Sequence, residues 1–262
     1  MNDSFFLENK KVLITGILSG LGRYCYEYIG GIGITRNTSQ ADIDHIIQTG
    51  GVDAIIHCAF NSQNRIDSES LYSYVRDNVL LTHELVSIPH KKFIFVSSVD
   101  VYPKNDSFHN EHEIIKIDDI KNIYGITKLM SESIIRKYSK NYLIMRATAL
   151  LGKYSRKNSL LKIIEDDDVD LTLSKESTFN YVLHSDILDF IKFSLDNDLN
   201  GIYNIASSDN VTLSEVAYLL KKKVKFGTYV YNVGDIDNSK VSSAFPVFKR
   251  TSKDTISRFL ER

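Results

Sequence analysis

The sequence has few of the residues that mark secreted, membrane-bound or nucleic-acid-binding proteins. It contains 262 residues but only two cysteines and three prolines, and no stretch approaches the roughly 20 apolar residues that a membrane span needs. Its 32 basic and 33 acidic residues leave a formal net charge of −1, so no overall field attracts nucleic acid. We therefore expect a protein that binds neither a membrane nor nucleic acid.

The two cysteines, Cys25 and Cys58, both lie in apolar segments. This placement is typical of buried free thiols in a reducing compartment, and it predicts neither a disulfide nor a metal site. Residues 1–11 include polar and acidic side chains and no long apolar run, so we expect no signal peptide. Together these features predict a cytoplasmic protein.

Short apolar runs alternate with helical patterns in the first part of the chain. Because strands separated by helices pair in parallel through right-handed crossovers, this alternation predicts an α/β fold with a doubly wound sheet covered on both faces. Ligands of such sheets bind beyond the carboxyl ends of the strands. The predicted strands are 11–15, 32–35, 54–58, 93–96 and 142–145, and the predicted helices are 21–29, 71–86 and 124–138.

The pattern becomes less regular after Gly152. A helix over 184–195 is predicted to return to the main domain, and the capping-box pattern from Thr212 to Glu215 predicts a helix that runs to about residue 222. The predicted division is a nucleotide-binding Rossmann domain of residues 1–152 and about 181–206, with a small substrate-binding lobe of about 153–180 and 207–262.

A glycine-rich turn, Thr15 to Gly22, joins the first predicted strand to the first helix. A pyrophosphate needs close backbone approach and unpaired N–H donors, which glycines at a helix N-terminus supply. An ordinary strand-to-helix turn is the alternative, but the position after the first strand favours dinucleotide binding. The candidate ligands in this turn are Gly16, Leu18, Ser19, Gly20, Leu21 and Gly22.

The residue after the second predicted strand bears on the choice of dinucleotide. An acidic residue there usually binds a free ribose 2′-hydroxyl, whereas arginine suits a 2′-phosphate. Here Arg36 and Asn37 follow the strand, with no acid in place. Arg36 therefore favours NADP(H) over NAD(H), and an exposed surface residue is the alternative reading of the same position.

Tyr124 and Lys128 lie four residues apart, so a helix places them one turn apart on the same face. A free tyrosine has a pKa of about 10, and a neighbouring cation favours the phenolate and moves that pKa towards the neutral range. Such a pair is not specific by itself. A second one, Tyr218 with Lys222, lies far from the glycine turn, and we interpret these two as a core and a surface residue.

A serine pair, Ser97 and Ser98, follows the predicted strand 93–96. At the carboxyl end of a central strand, a serine hydroxyl can join the phenol of Tyr124 in holding a carbonyl oxygen. A simple turn or cap is the alternative. The glycine turn, the serine and the tyrosine–lysine pair, in this order and spacing, together indicate a functional site.

The sequence resembles the extended short-chain dehydrogenases, the NAD-dependent epimerase/dehydratase family that modifies nucleotide sugars. The matching segments span nearly the whole chain in the family's order. The resemblance implies a Rossmann fold with a C-terminal sugar-nucleotide lobe, and often a homodimer through helices 71–86 and 124–138. The segments that carry it are 15–22, 57–59, 78–82, 97–102, 124–128, 146–152, 181–186 and 201–206.

The resemblance also implies a role for each residue of the site. Tyr124 would be the acid/base, Lys128 would bind the nicotinamide ribose and lower the tyrosine pKa, and Ser98 would hydrogen-bond the reacting sugar oxygen. Hydride would pass between the nicotinamide and a sugar carbon, commonly C4. The further dinucleotide ligands it implies are Cys58, Ala59 and Asn78. The residues we expect to be structural are His57, Asp186 and Asn204.

The sequence departs from the family's pattern in its glycine spacing, which resembles the shorter single-domain branch, and in two substrate positions. Phe179 stands near the place of an arginine that contacts the nucleotide diphosphate. Val99 cannot donate a proton, which removes one partner of the acid–base pair used by 4,6-dehydratases, while Asp100 remains a candidate acid/base or a turn residue. The candidate substrate ligands are Ser98, Val99, Asp100, Lys153 and Arg156, with Lys157 as a further basic substitute.

These features predict an NAD(P)-dependent enzyme that reduces a 4-keto (deoxy)sugar nucleotide for cell-surface polysaccharide biosynthesis. The short chain and Arg36 favour reduction, and the compact segment 36–52 resembles the dTDP-dehydrorhamnose-reductase-like members. A 4-epimerase is the alternative, since it needs the same three residues. Reduction of a non-sugar carbonyl and a catalytically silent dinucleotide sensor are further alternatives, and the presence of Tyr124 and Lys128 disfavours the sensor.

Overall fold

The computed structural model describes residues 10–63, 66–105 and 107–261. Residues 1–9, on which most of the signal-peptide prediction rests, lie outside the described residues. Within the described part of the chain, no helix is both long and apolar enough to cross a membrane.

The apolar runs of the first part of the chain form a six-stranded parallel sheet, and the predicted doubly wound α/β fold is confirmed. The nine-residue strand His90–Ser98 lies at its centre, between Val52–His57 and Tyr142–Ala147. Its last residue, Ser98, pairs with Ala147 at the carboxyl edge. Across the sheet the strands are Gly201–Ile205, Tyr142–Ala147, His90–Ser98, Val52–His57, Val12–Thr15 and Ile32–Ile34.

Helices cover both faces of this sheet because each face carries buried aliphatic side chains. The helices in chain order are α1 (Gly20–Ile29), α2 (Gln40–Gln48), α3 (Leu71–Val75), α4 (Leu81–Val86), α5 (Ile123–Tyr138), α6 (Ser159–Glu165), α7 (His184–Asp196), α8 (Leu213–Leu219), α9 (Ser239–Ala244) and α10 (Ser252–Leu260). One face packs against α1 and α7 through Cys25 and Ile187, and the other packs against α2, α4 and α5 through Ile46, Leu85 and Ile135.

The helix predicted over 71–86 contains a π-helical turn, Arg76–Leu80, between α3 and α4. A π turn is a local insertion that recurs at functional sites. Here it places Asp77 at the sheet's carboxyl edge and buries Asn78 against the loop that follows the strand Val52–His57. The hydrophobic pattern predicts the helix but not this turn.

The second half of the chain has a separate apolar core. It includes Leu160, Ile163, Tyr181 and Leu213. Short strands pair around it: Ala149–Leu151 with Tyr181–Leu183, Thr178–Phe179 with Val211–Thr212, and Val169–Asp170 with Val224–Lys225. The remaining short elements are the strand pair Phe108–His109 with Asp235–Ile236, and the 3-10 turns Val99–Val101, Ile117–Asp119 and Pro246–Lys249.

Several local predictions can be compared with the structure. The capping box is present, since Thr212 and Glu215 cap α8 reciprocally. The interpretation of Tyr218 as a core residue is wrong, because its side chain is 88% exposed on the outer face of α8. Cys25 and Cys58 are both free thiols, and only Cys25 is fully buried. Cys58 is half-buried because it lies beside an open cleft.

Candidate active site

A cleft of about 1310 Å³ opens at the carboxyl edge of the sheet. Its walls come from the glycine turn, from the loops after the central strands, from the start of α5 and from the segment 155–158. This is the edge at which ligands of doubly wound sheets bind. Among the residues predicted for the site, the cleft wall includes Gly16, Leu18, Ser19, Gly20, Leu21, Gly22, Arg36, Cys58, Ala59, Ser98, Tyr124, Lys128 and Arg156.

The backbone of the glycine turn is shaped for close approach of a ligand. Gly16 has φ +78°, and a Cβ there would lie 2.9 Å from the amide nitrogen of Ala59. A Cβ on Gly22 would lie 2.5 Å from the carbonyl oxygen of Gly16, whereas one on Gly20 (φ +59°) would point into open space. Gly16 and Gly22 therefore allow the turn to pack tightly, and Gly20 leaves the adjoining part of the cleft open. This cradle fits the pyrophosphate of a dinucleotide at the N-terminus of α1.

Arg36 lies at the far end of the cleft, where it forms an ion pair with Asp77 at 2.7 Å. Its side chain is 74% exposed. The acid that is absent after the second strand is thus supplied by the π-helical turn, which the sequence pattern did not reveal. Both a cation for a 2′-phosphate and a carboxylate for a 2′-hydroxyl are present, so the arrangement is compatible with either dinucleotide.

Ser98, Asp100 and Tyr124 come together where the central strand meets α5. The Ser98 hydroxyl accepts a hydrogen bond from the Asp100 backbone N–H at 3.1 Å, and it lies near enough to the Tyr124 phenol to lower the pKa of that group. The Asp100 carboxylate forms an ion pair with Lys104 at 2.8 Å. The predicted serine–tyrosine pair is therefore assembled, with a carboxylate next to it.

The pKa of Tyr124 differs from the prediction. Burial raises it well above its ordinary value, the Asp100 charge raises it further, and the hydrogen bond with Ser98 and the charge of Arg156 oppose that rise. We expected Lys128 to lower the pKa, but its ammonium lies over the Tyr124 ring at 5.7 Å from the centroid, not at the hydroxyl. In the protein without a dinucleotide, the Tyr124 phenol is therefore neutral at physiological pH.

Lys128 is a buried cation on the inner face of α5, with 4% of its surface exposed. Its ammonium donates to the carbonyl oxygen of Val96 at 2.7 Å and lies 4.6 Å from the centroid of the Phe95 ring. Burial lowers its pKa from 10.5 to about 8. The side chain is held at the floor of the cleft, within one helical turn of Tyr124.

The loop after the strand Val52–His57 forms the opposite wall. Cys58 and Ala59 line the cleft, and the Ala59 N–H donates to the Thr15 hydroxyl at 3.1 Å. His57 is structural as expected, because its ring bonds the hydroxyls of Thr15 and Thr82 at 2.8 and 3.0 Å. Burial, and then the charge of Lys128, lower its pKa to about 3, so it stays neutral.

Asn78 was expected to be a dinucleotide ligand, but it does not line the cleft. It is 5% exposed, and its side-chain oxygen accepts the backbone N–H of Asn61 at 2.6 Å. Its role in this structure is to hold the loop that carries Ala59 and Phe60. Phe60, which the sequence did not single out, lines the cleft with its ring 5.6 Å from that of Tyr124.

A buried charge network lies behind the site. The Glu132 carboxylate, fully buried, accepts from the Arg146 guanidinium at 2.7 Å and from the Ser97 hydroxyl at 2.5 Å. Arg146 in turn donates to the Tyr102 hydroxyl, which donates to Asn204. This network links α5 to the central strand and its loop. It therefore fixes Ser98 relative to Tyr124, and the expected structural role of Asn204 agrees with it.

The predicted substrate ligands are only partly brought together. Val99 is 2% exposed in an apolar cluster, so its side chain is not available to a substrate. Lys153 points away from the cleft and forms an ion pair with Glu27 of α1 at 2.8 Å. Arg156 does line the cleft, with its guanidinium 3.5 Å from the Ser19 hydroxyl.

Two further positions considered in the sequence, Phe179 and Asp186, do not line the cleft. Phe179 stacks on Tyr231 with 4.9 Å between the ring centroids, which forms an aromatic surface at the position where the family carries an arginine. Asp186 forms an ion pair with Arg250 at 2.8 Å, and its expected structural role agrees with this contact.

The site can bind a dinucleotide along the carboxyl edge and hold a carbonyl or hydroxyl oxygen between Ser98 and Tyr124. The neutral phenol can give a proton to that oxygen. The Lys128 ammonium lies 5.7 Å from the centroid of the Tyr124 ring. Together, these groups could support the interconversion of a ketone and an alcohol.

Comparison with known proteins places these features in a family. Among solved structures, the fold is similar to a dTDP-4-dehydrorhamnose reductase of Bacillus anthracis in complex with NADP (15% identity, 96% of this chain and 98% of that chain, TM-score 0.78). It is also similar to the reductase of that name from Yersinia enterocolitica (21% identity, 96% and 99%, TM-score 0.78). A UDP-glucuronic acid 4-epimerase of Bacillus cereus, bound to UDP-glucuronic acid and NAD, is similar as well (17% identity, 94% and 96%, TM-score 0.76).

In sequence, the chain is similar to a trifunctional UDP-glucose 4,6-dehydratase/UDP-4-keto-6-deoxy-D-glucose 3,5-epimerase/UDP-4-keto-L-rhamnose-reductase of Arabidopsis thaliana. That match has 28% identity over 119 residues and spans 42% of this chain but only 17% of the plant enzyme. The profile of the NAD dependent epimerase/dehydratase family matches residues 12–206. Since this match includes the glycine turn, Ser98, Tyr124 and Lys128, the chain belongs to the NAD dependent epimerase/dehydratase family.

Proposed function

We propose that this protein is a nicotinamide-dependent enzyme that reduces a 4-keto (deoxy)sugar nucleotide in cell-surface polysaccharide biosynthesis. The observation that carries the proposal is the assembly of Ser98, Tyr124 and Lys128 at one edge of the cleft, with the glycine cradle at the other. The reductases and epimerases of similar fold act on nucleotide-linked sugars, according to their names, and this supports the substrate class.

A bound nicotinamide dinucleotide would supply the hydride. Ser98 would hold the sugar oxygen by donating its hydroxyl proton, and Tyr124 would transfer its phenolic proton to the same oxygen. Lys128, whose ammonium lies 5.7 Å from the centroid of the Tyr124 ring, would bind the nicotinamide ribose. The Asp100 backbone N–H, which donates to the Ser98 hydroxyl oxygen, is a candidate for orienting that hydroxyl so that its proton is directed to the sugar oxygen.

The Arg36 cation supports reduction as the working direction, because the dTDP-4-dehydrorhamnose reductase of similar fold is in complex with NADP, whereas the UDP-glucuronic acid 4-epimerase of similar fold is in complex with NAD. In a reduction, the neutral Tyr124 phenol would be the proton donor. Epimerisation is still the second candidate, because a UDP-glucuronic acid 4-epimerase shares the fold over 94% of this chain.

We further propose that the enzyme works as a cytoplasmic homodimer that pairs through the helical segment 71–86 and α5. Both elements expose large side chains, with Tyr72 72% and Tyr138 61% accessible, and a dimer would cover them. A dimeric mass in solution, lost when both tyrosines are replaced by serine, would support this pairing.

The decisive experiment is a screen of 4-keto sugar nucleotides with NADPH and with NADH, read at the absorbance of the reduced nicotinamide. A reductase consumes the reduced cofactor stoichiometrically, whereas an epimerase changes sugar configuration without net absorbance change. Tyr124→Phe should cut turnover by a factor on the order of 10²–10⁴ while the Kd for the dinucleotide stays within a factor of about two. Near-normal turnover in this variant, or consumption of only non-sugar ketones, would contradict the proposal.

A further inference from the structure

The segment that follows Gly152 is fastened across the glycine turn. The Gly20 N–H, at the start of α1, donates to the carbonyl oxygen of Tyr154 at 3.0 Å. The Lys153 ammonium and the Tyr154 hydroxyl both bind the Glu27 carboxylate on α1, at 2.8 and 2.5 Å. The segment is therefore held in place by α1, and one N–H of the cradle is already used.

Arg156 differs from the other basic residues of this segment. Within the described part of the chain, Lys153 and Lys157 each form ion pairs with carboxylates, but no carboxylate pairs with Arg156. Its guanidinium lies 3.5 Å from the Ser19 hydroxyl in the glycine turn, and 5.0 Å from the centroid of the Phe60 ring. An unpaired guanidinium that lines a cleft is available to an anion.

Phe60 connects this cation to the reacting end of the cleft. Its ring lies 5.6 Å from the Tyr124 ring, and the Lys128 ammonium lies 5.3 Å from its centroid. Arg156 and Phe60 therefore extend from the glycine turn to the tyrosine. A dinucleotide that contacts both ends must pass its pyrophosphate beside Arg156.

We infer that Arg156 is a ligand of the dinucleotide pyrophosphate and completes the cradle next to Ser19. The inference rests on the proposed dinucleotide-dependent function. Because the Gly20 N–H is bonded to Tyr154, the glycine turn has one donor fewer for phosphate oxygens. The guanidinium supplies charge-assisted donors in a fork that matches two phosphate oxygens. Arg156 thus belongs to cofactor binding and not, as its sequence position suggested, to the substrate diphosphate.

The test compares Arg156→Met with Lys162→Met, which removes an exposed cation on α6, outside the cleft. Dissociation constants are measured by calorimetry for NADH, ADP-ribose and adenosine. Loss of Arg156 should weaken NADH and ADP-ribose by about 10–100-fold, which corresponds to the 1.5–3 kcal/mol of a hydrogen bond to a charged group. Adenosine, which has no phosphate, should bind all three proteins equally, and Arg156→Lys should recover part of the loss.

Each other outcome has one meaning. If wild-type protein binds NADH and Arg156→Met binds it equally well, the role assigned to Arg156 is wrong. A raised KM for a sugar nucleotide, with the NADH Kd unchanged, also overturns it and returns Arg156 to the substrate. If wild-type protein binds neither NADH nor NADPH, the proposed function itself fails. Equal weakening by Lys162→Met would show a general charge effect and would overturn the specific contact.

Discussion

Replacing Lys128 with methionine should stabilise the dinucleotide-free protein while disabling its site. The pKa of Lys128 falls from 10.5 to about 8 on folding because its ammonium is buried, which corresponds to a penalty of about 3 kcal/mol on the charged side chain. Methionine removes this penalty and fits the same volume, but it loses the bond to the Val96 carbonyl, worth about 1 kcal/mol. We expect a net gain in unfolding free energy of about 2 kcal/mol at pH 7.

This gain depends on pH in a defined way. Below pH 8 the lysine is charged in both the folded and the unfolded state, and the full penalty applies. Between pH 8 and 10.5 the folded protein binds fewer protons at this site than the unfolded chain, so wild-type stability rises relative to the variant. Above pH 10.5 both states are neutral and the advantage of methionine disappears.

Urea unfolding followed by far-UV circular dichroism, at pH 7 and at pH 10.5, measures the difference. Lys137→Met is the matched control, since this lysine is exposed on the same helix, and we expect a change of no more than about 0.5 kcal/mol. The reasoning is refuted if Lys128→Met is no more stable than wild type at pH 7, or if its advantage persists at the higher pH. NADH binding should weaken in the variant, which separates folding stability from function.

Two further changes test other parts of the site. Arg36→Ala should weaken the binding of NADPH by about tenfold, as expected for loss of a charged contact of about 1.4 kcal/mol, and leave the binding of NADH unchanged. Fluorescence titrations measure both affinities, and equal effects on the two would argue against a contact between Arg36 and the 2′-phosphate. Glu132→Gln should destabilise the protein by about 3–5 kcal/mol, because it leaves the buried Arg146 without a compensating charge. The double variant with Arg146→Met should recover most of that loss in urea unfolding. A double variant as unstable as Glu132→Gln alone would contradict the idea that the uncompensated Arg146 charge causes the loss.

Much of the fold was predictable because short apolar runs were bounded by glycine or polar residues. The runs around residues 11–15, 54–58 and 93–96 all form strands of the central sheet. The helix α2 was not predicted, because its exposed face is broad and only Ile46 is fully buried. The sequence pattern that could have predicted its start is the capping box of Ser39 and Asp42, in which aspartate stands where glutamate is usual.

The site was predictable where contacts are local, and less so where they depend on tertiary packing. Tyr124 and Lys128 share a helix face, so their spacing predicts their proximity. Burial of the phenol, by contrast, depends on distant elements such as Phe60, and it reverses the expected direction of the Tyr124 pKa. Asp77 and Phe60 reach the cleft only because a π turn and a loop bring them there, and no local sequence pattern contains that information.

The π turn between α3 and α4 has a consequence for chain length. Within it, consecutive residues have different main partners: Asp77 binds Arg36 and lines the cleft, while Asn78 accepts the Asn61 backbone N–H. Deleting one residue from Arg76–Leu80 would restore a regular helix, because a π turn is a local insertion within an α-helix. Either the carboxylate or the amide would then lose its partner. Helix packing would tolerate the shorter segment, but the cleft would not.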